Sequence, residues 1–257
     1  PLFVLRDPNA SDFAVPELTL TSEVPAERLD ARKRLIEYIS GGRAALNENR
    51  SLQDMDKFQE KAFDLLTSPV TRKAFNLDEE PASVRDSYGR NIYGQSVLLA
   101  RRLIEAGTRV ACIAWAPDAN ATWDTHGQNF KKLKDELLPP LDAAVASLLQ
   151  DLVDRRMLDR TLVMGEFGRT PKVNAGAGRD HWNFCYSLLL AGGGMKGGYV
   201  YGSSDKIGAR PASNPVLPAE IIATIYHCLG IPNTFELHDR LSRPFQLVPW
   251  GNPILEL

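Results

Sequence analysis

The sequence predicts an α/β fold in which a largely parallel sheet is covered by helices. Beyond residue 90, helix-patterned segments alternate with continuous apolar runs. Those runs have the character that a strand buried on both faces requires, and polar loops follow them. Strand–helix–strand units with right-handed crossovers give parallel neighbours, and ligands gather at the carboxyl ends of such strands.

Residues 1–24 are proline-punctuated with short β-prone pieces and read as an extended arm. From Pro25, "PAERLDARKRLIEYI" spaces Leu29, Leu35, Ile36 and Ile39 along one helical face until Gly41-Gly42 interrupts it. "SLQDMDKFQEKAFDLLTS" opens with Ser51 and Asp54 in capping-box spacing, and Met55, Phe58, Ala62, Phe63 and Leu66 form its stripe. Ser68-Pro69 starts another short helix, with Ser as cap and Pro in the first turn. Residues 1–90 are thus expected to be an arm and a helical insert, and 91–257 the α/β core of one domain spanning 1–257.

Within the core, "GQSVLLARRLIEAG" is a helix ending at Gly107, followed by the strand-like "TRVACIAWA". A polar loop containing "WDTHGQNF" leads into a long helix that Pro139-Pro140 should kink or split. "TLVMGEF" and "CYSLLLAGG" are the next apolar runs, and "PAEIIATIYHCLG" is a late helix stopped by Gly230. "AGGGMKGG" matches neither phosphate-loop nor dinucleotide spacing and is better explained as a tight turn leaving a strand.

Composition excludes several classes. A formal net charge of -2 leaves no basic excess to pair with phosphates, which argues against a general nucleic-acid binder. The apolar runs are too short to span a bilayer. Cys112, Cys185 and Cys228 show no C-x-x-C spacing, so they read as small core residues rather than zinc ligands or a disulfide framework.

Two loops concentrate the remaining chemistry. One supplies Asp118, Asp124 and His126; the other supplies Glu166, Arg169, Arg179, Asp180 and His181. If they converge, carboxylate oxygens and imidazole nitrogens without thiolates suit zinc, manganese or a similar divalent ion in a hydrolytic site. Arg169 or Arg179 could then clamp an anionic substrate through paired hydrogen bonds. Each pair also has a plainer explanation: Asp124 could cap the helix that follows, and charged loop residues are commonly solvated. His227, inside an apolar helix, and His238, in a surface loop, read as structural.

The motifs "SPVTRKAFNLDEEP", "YGRNIYGQSVLLARRLIEAGTR", "WDTHGQNFKKLKDELLPPLD", "TLVMGEFGRTPKVNAGAGRDHW" and "LLLAGGGMKGGYVYGSSD" together resemble the bacterial family known as domain of unknown function 1501, over nearly the whole chain. That family is placed in the alkaline phosphatase and sulfatase superfamily. The resemblance therefore implies an α/β/α sandwich with a metal site that hydrolyses phosphate or sulfate esters. Asp124 and His126 resemble the superfamily's Asp…His ligand pair, Glu166 sits where a strand-end Asp would be, and His181 resembles the final His. Asp180 is implied as a further ligand or as an orienter of an imidazole, and Arg169 as the anion clamp.

Two departures stand out. Phe167 occupies the position of the superfamily's strand-end His, and nothing at the start of this chain matches its nucleophile segment. Thr170 is the hydroxyl nearest the proposed ligands, but it precedes Pro171 in a loop and reads as a turn residue. Members of the family tend to be longer at the amino end and often carry an export signal, so this chain looks like a carboxyl-terminal portion with little activity of its own. The expectation is a periplasmic or secreted hydrolase of a small anionic ester, such as a sulfated or phosphorylated carbohydrate. Its ion would be zinc, with manganese or calcium as alternatives. The rival expectation is a non-catalytic extracytoplasmic binding or surface protein that keeps the fold.

Overall fold

A computed structural model describes residues 2–18, 23–43, 58, 61–115 and 123–257. The chain forms two compact units, Pro1–Ala114 and Trp115–Leu257. The division falls beyond residue 90, so the helix expected to open the α/β core belongs to the first unit. The capping box at Ser51 and Asp54 lies outside the described residues.

In the first unit, helix α1 (Ala26–Arg43) runs through Gly41-Gly42 rather than stopping there. Leu29 is buried, whereas Leu35 and Ile39 are exposed, so the predicted stripe is covered only in part. Helix α2 (Pro69–Phe75) begins as expected: the Ser68 hydroxyl accepts the Thr71 amide at 3.2 Å. Two more helices follow, α3 (Ala82–Tyr88) and α4 (Ile92–Glu105). The α4 amino terminus is capped by Asn91, whose Oδ1 accepts from the Tyr93 and Gly94 amides. Its core face buries Val97, Leu98 and Leu99.

That same helix carries two charges inward. Arg101 and Arg102 both meet the Glu80 carboxylate, Arg101 Nη2 at 2.8 Å. Arg101 also reaches Glu105 at 2.6 Å, and Arg102 Nε donates to the Ala74 carbonyl at 2.9 Å. Burial by itself would raise the Glu80 carboxyl, but the hydrogen bonds from Arg101 and Arg102 outweigh it and hold the group below its ordinary range.

The run "TRVACIAWA" is described as far as Trp115 and joins no strand among the described residues; Val110 is exposed. None of the three cysteines is buried, which differs from the core role expected of them.

The second unit opens its helical part with α5 (Asn129–Lys132), a π-helical turn over Leu133–Leu137, and α6 (Leu138–Asp154). The Pro139-Pro140 pair falls in the first turn of α6. Prolines have no amide to give to the carbonyls of Asp135 and Glu136, and the wider turn accommodates that loss. The helix is thus modulated where the sequence said it would be.

Strands β1 (Val163–Phe167) and β2 (Ser187–Ala191) pair antiparallel, with Glu166 opposite Leu188. Their connection, residues 168–186, contains no helix to carry a crossover, so the chain doubles back and the pair runs antiparallel. Among the described residues no strands pair in parallel; the other pairs, β3 (Ser203–Ser204) with β4 (Pro211–Ser213) and β5 (Glu236–His238) with β6 (Pro244–Gln246), are also antiparallel. The glycine turn after β2 is as expected: Gly192, Gly193 and Gly194 all have positive φ, and a Cβ on Gly192 would lie 2.2 Å from the Thr161 carbonyl oxygen. Helix α7 (Pro218–Cys228) ends near Gly230, which has φ +74. No helix among the described residues is long and apolar enough to cross a membrane.

Candidate metal centre

The 168–186 connection is pinched shut near its base. Arg169 and His181 form an isolated antiparallel bridge, and the Thr170 amide donates to the Asp180 carbonyl at 2.8 Å. Asn174 organises the tip. Its Oδ1 accepts the amides of Gly176 and Gly178, while its Nδ2 donates to the His126 carbonyl at 3.0 Å and to Asp180 Oδ1 at 3.2 Å. The loop thereby lies against residues 125–129, where the Gln128 and Asn129 amides donate to the Gly176 and Ala177 carbonyls. Gly178 is required at this approach: a Cβ there would lie 1.9 Å from the His126 carbonyl oxygen.

This docking brings together residues far apart in the chain. Asp124 Oδ1 lies 2.9 Å from His181 Nε2 and 3.0 Å from His126 Nε2. The two imidazoles stack with centroids 4.9 Å apart. Asp124, His126 and His181 each offer one ligand atom, and these atoms lie within 4.8 Å of one another. Ligand atoms around a tetrahedral zinc stand roughly 3.4 Å apart, from bond lengths of about 2.1 Å. Oxygen and imidazole nitrogen are donors that suit such an ion, so the residues fit the group.

Asp180 is placed behind the cluster, its Oδ1 2.8 Å from His126 Nδ1. The hydrogen bonds from His126 and then Asn174 hold its carboxyl below the ordinary range. The Asp124 carboxyl is lowered too, first by the hydrogen bond from Arg169 and then by that from His181. The two carboxylates thus face His126 at its two ring nitrogens, Asp180 at Nδ1 and Asp124 at Nε2.

Arg169 points inward rather than towards a ligand. Its Nη2 donates to the Trp123 carbonyl and to Asp124 Oδ1, the latter at 2.7 Å, and its side chain is only 8% exposed. The expected anion clamp is thus a buttress under Asp124. Thr170 is a turn residue as expected: its hydroxyl accepts the Asp180 amide at 3.0 Å and donates to the Lys172 carbonyl. Glu166 lies on β1, but its side chain is outside the described residues, as is Asp118. His227 and His238 are exposed and take no part. Asn174 was not singled out from sequence. The available signal was an Asn followed by two nearby glycines, a setting in which the amide side chain commonly bonds the backbone.

Over residues 2–257 the chain matches the family described as protein of unknown function DUF1501, and it belongs to that family. No curated protein and no solved structure matches it.

Proposed function

We propose that this chain is a metal-dependent hydrolase of phosphate or sulfate esters, of the alkaline phosphatase and sulfatase type, acting outside the cytoplasm. The convergence of Asp124 Oδ1, His126 Nε2 and His181 Nε2 carries the proposal. The α/β/α sandwich of that superfamily is part of it, although the support comes from the site and not from the sheet, since the described strand pairs are antiparallel.

In this reading Asp124, His126 and His181 hold a divalent ion, zinc first among the candidates. Asp180 keeps the His126 proton on Nδ1, so that the Nε2 lone pair is presented to the ion. Arg169 fixes Asp124 from behind. When bound, the ion supplies Lewis-acid activation of an ester oxygen and of water.

One observation favours the rival, a binding protein that has kept the site without the chemistry. Two hydroxyls on the loops that carry the ligands are both engaged, Thr170 in its turn and Thr125, which is buried, with Asn129. Metal analysis combined with turnover separates the two. The protein should take up about one equivalent of zinc or manganese, and His181→Ala should weaken that uptake at least about a hundredfold by removing one of three ligands. Hydrolysis of an aryl phosphate or aryl sulfate that depends on the same histidine establishes the enzyme. Stoichiometric metal without turnover in an amino-terminally extended protein favours the binding protein, and no metal uptake defeats both forms of the metal reading.

A further inference from the structure

The first unit contains a cleft of about 350 Å³ between the amino-terminal arm and the helices that follow Ser68. Along the cleft the arm is a series of turns, closed by the Ala10 amide on the Asp7 carbonyl, Phe13 on Ala10 and Leu18 on Val15. Val15, which is buried, anchors it, and Asn9 Nδ2 donates to the Arg90 carbonyl at 3.3 Å. Opposite, Phe75 ends α2 and Leu77 begins the turn after it. Phe13, Val15, Leu18, Phe75 and Leu77 together give the cleft its apolar lining.

Its free polar groups are donors. Arg72 lines the cleft, and among the described residues its guanidinium makes no hydrogen bond or ion pair. Arg85, with a side chain only 12% exposed, is held in place: Nη1 donates to Asp78 at 2.7 Å and Nε to Gln95 Oε1 at 2.8 Å. Its Nη2 has no partner among the described residues. Asn76 Oδ1 accepts the Asp78 amide at 3.3 Å, so Nδ2 is the end left to donate. Asp78, the one carboxylate in the lining, is already paired with Arg85, and the two arginines leave one positive charge in excess.

A volume near the lower end of the range for small-molecule sites, roughly 300–1,000 Å³, suits a ligand of about one ring. An apolar body is stabilised there by the water-exposed hydrocarbon it covers, and an oxyanion by charge-assisted bonds to a guanidinium fork. One excess positive charge matches a singly charged anion.

We propose that this cleft binds a small apolar monocarboxylate, with its aryl or branched alkyl body on Phe13, Phe75 and Leu77 and its carboxylate on Arg72. The site lies wholly within the first unit and is independent of the metal reading, so the test is run on the full chain with a chelator present. The probe is 3-phenylpropionate, titrated at up to millimolar concentration and followed by amide chemical shifts. Saturable shifts are expected at residues 10–18 and 72–78. The neutral 3-phenylpropanamide, which keeps the ring, should bind about tenfold or more weakly, as should acetate, which keeps only the charge. Arg72→Ala should cause a similar loss, and Arg72→Lys should recover part of it. Arg72 is exposed and bonds to nothing among the described residues, so its variants should keep the fold. Phe13→Ala, on the opposite wall, gives a second and separate reading, with weaker binding of both the acid and the amide.

No saturable binding of the acid by the unaltered chain overturns the proposal, as do shifts confined to other parts of the molecule. Equal affinity for acid and amide, or an Arg72→Ala variant that binds the acid as the unaltered chain does, overturns it as well.

Discussion

Each unit of the molecule has a cluster of carboxylates with cationic or basic partners, and the two clusters differ chiefly in their access to water. In Pro1–Ala114, Glu80 and Arg101 have side chains 5% and 0% exposed. In Trp115–Leu257, Asp124 and His181 are 50% and 75% exposed. The first arrangement uses its arginines to neutralise a buried carboxylate and tie α4 to the segment before α3. The second uses an arginine, Arg169, to fix a carboxylate whose other neighbours are imidazoles open to ligands. Burial makes a charge cluster structural; exposure on a pinned loop leaves it free for chemistry.

The sharpest way to break that comparison is to remove a carboxylate from each side. Glu80→Gln leaves two buried guanidinium groups without their shared anion and should destabilise the protein by about 3–5 kcal/mol. Asp124→Asn, at a half-exposed site, should change stability by no more than about 1 kcal/mol. Chemical denaturation of both variants measures the difference, and equal losses would mean that the second cluster is structural too.

Acid titration sharpens the same contrast. The Glu80 carboxyl is held below its ordinary value of 4.5, so folding favours its ionised form. Its contribution is complete above that value and is lost as pH falls through the lowered one. Melting midpoints recorded by circular dichroism should therefore drop steeply below about pH 4.5 in the unaltered protein. The slope should be shallower in Glu80→Gln, which has no carboxyl there to protonate.

The smallest effect belongs to the residue behind the site. Asp180→Asn keeps the shape but loses the charge that secures the His126 Nδ1 proton, and should reduce zinc affinity about tenfold to a hundredfold. Zinc titration against a competing chelator reads this directly. An unchanged affinity would show that Asn174 and the loop backbone alone orient His126.

Local features were legible because they are made by residues close in the chain. The Ser68 cap and the positive-φ turn after β2 are each made by residues within a few positions of one another. The helix disturbance at Pro139-Pro140 was readable for the same reason, although its form, a π-helical turn, was not. The Gly41-Gly42 pair misled because a glycine only weakens a helix by about 1 kcal/mol, which neighbouring turns can carry.

At the site, residue types and the loops that carry them were set by the sequence alone: carboxylates and imidazoles without thiolates, flanked by glycines. What tertiary structure decided was their convergence and their division of labour. His126 meets Asp180 across 54 positions, and His181 meets Asp124 across 57. Composition cannot specify such separations, because they depend on how an irregular loop reverses and docks. The same docking turned Arg169 inward onto Asp124 and set Arg179 over the Phe130 ring, although as residues in a sequence the two arginines are equivalent. Direction of strand pairing was likewise beyond an apolar pattern: β1 and β2 have the composition of buried parallel strands, and the helix-free connection between them set them antiparallel.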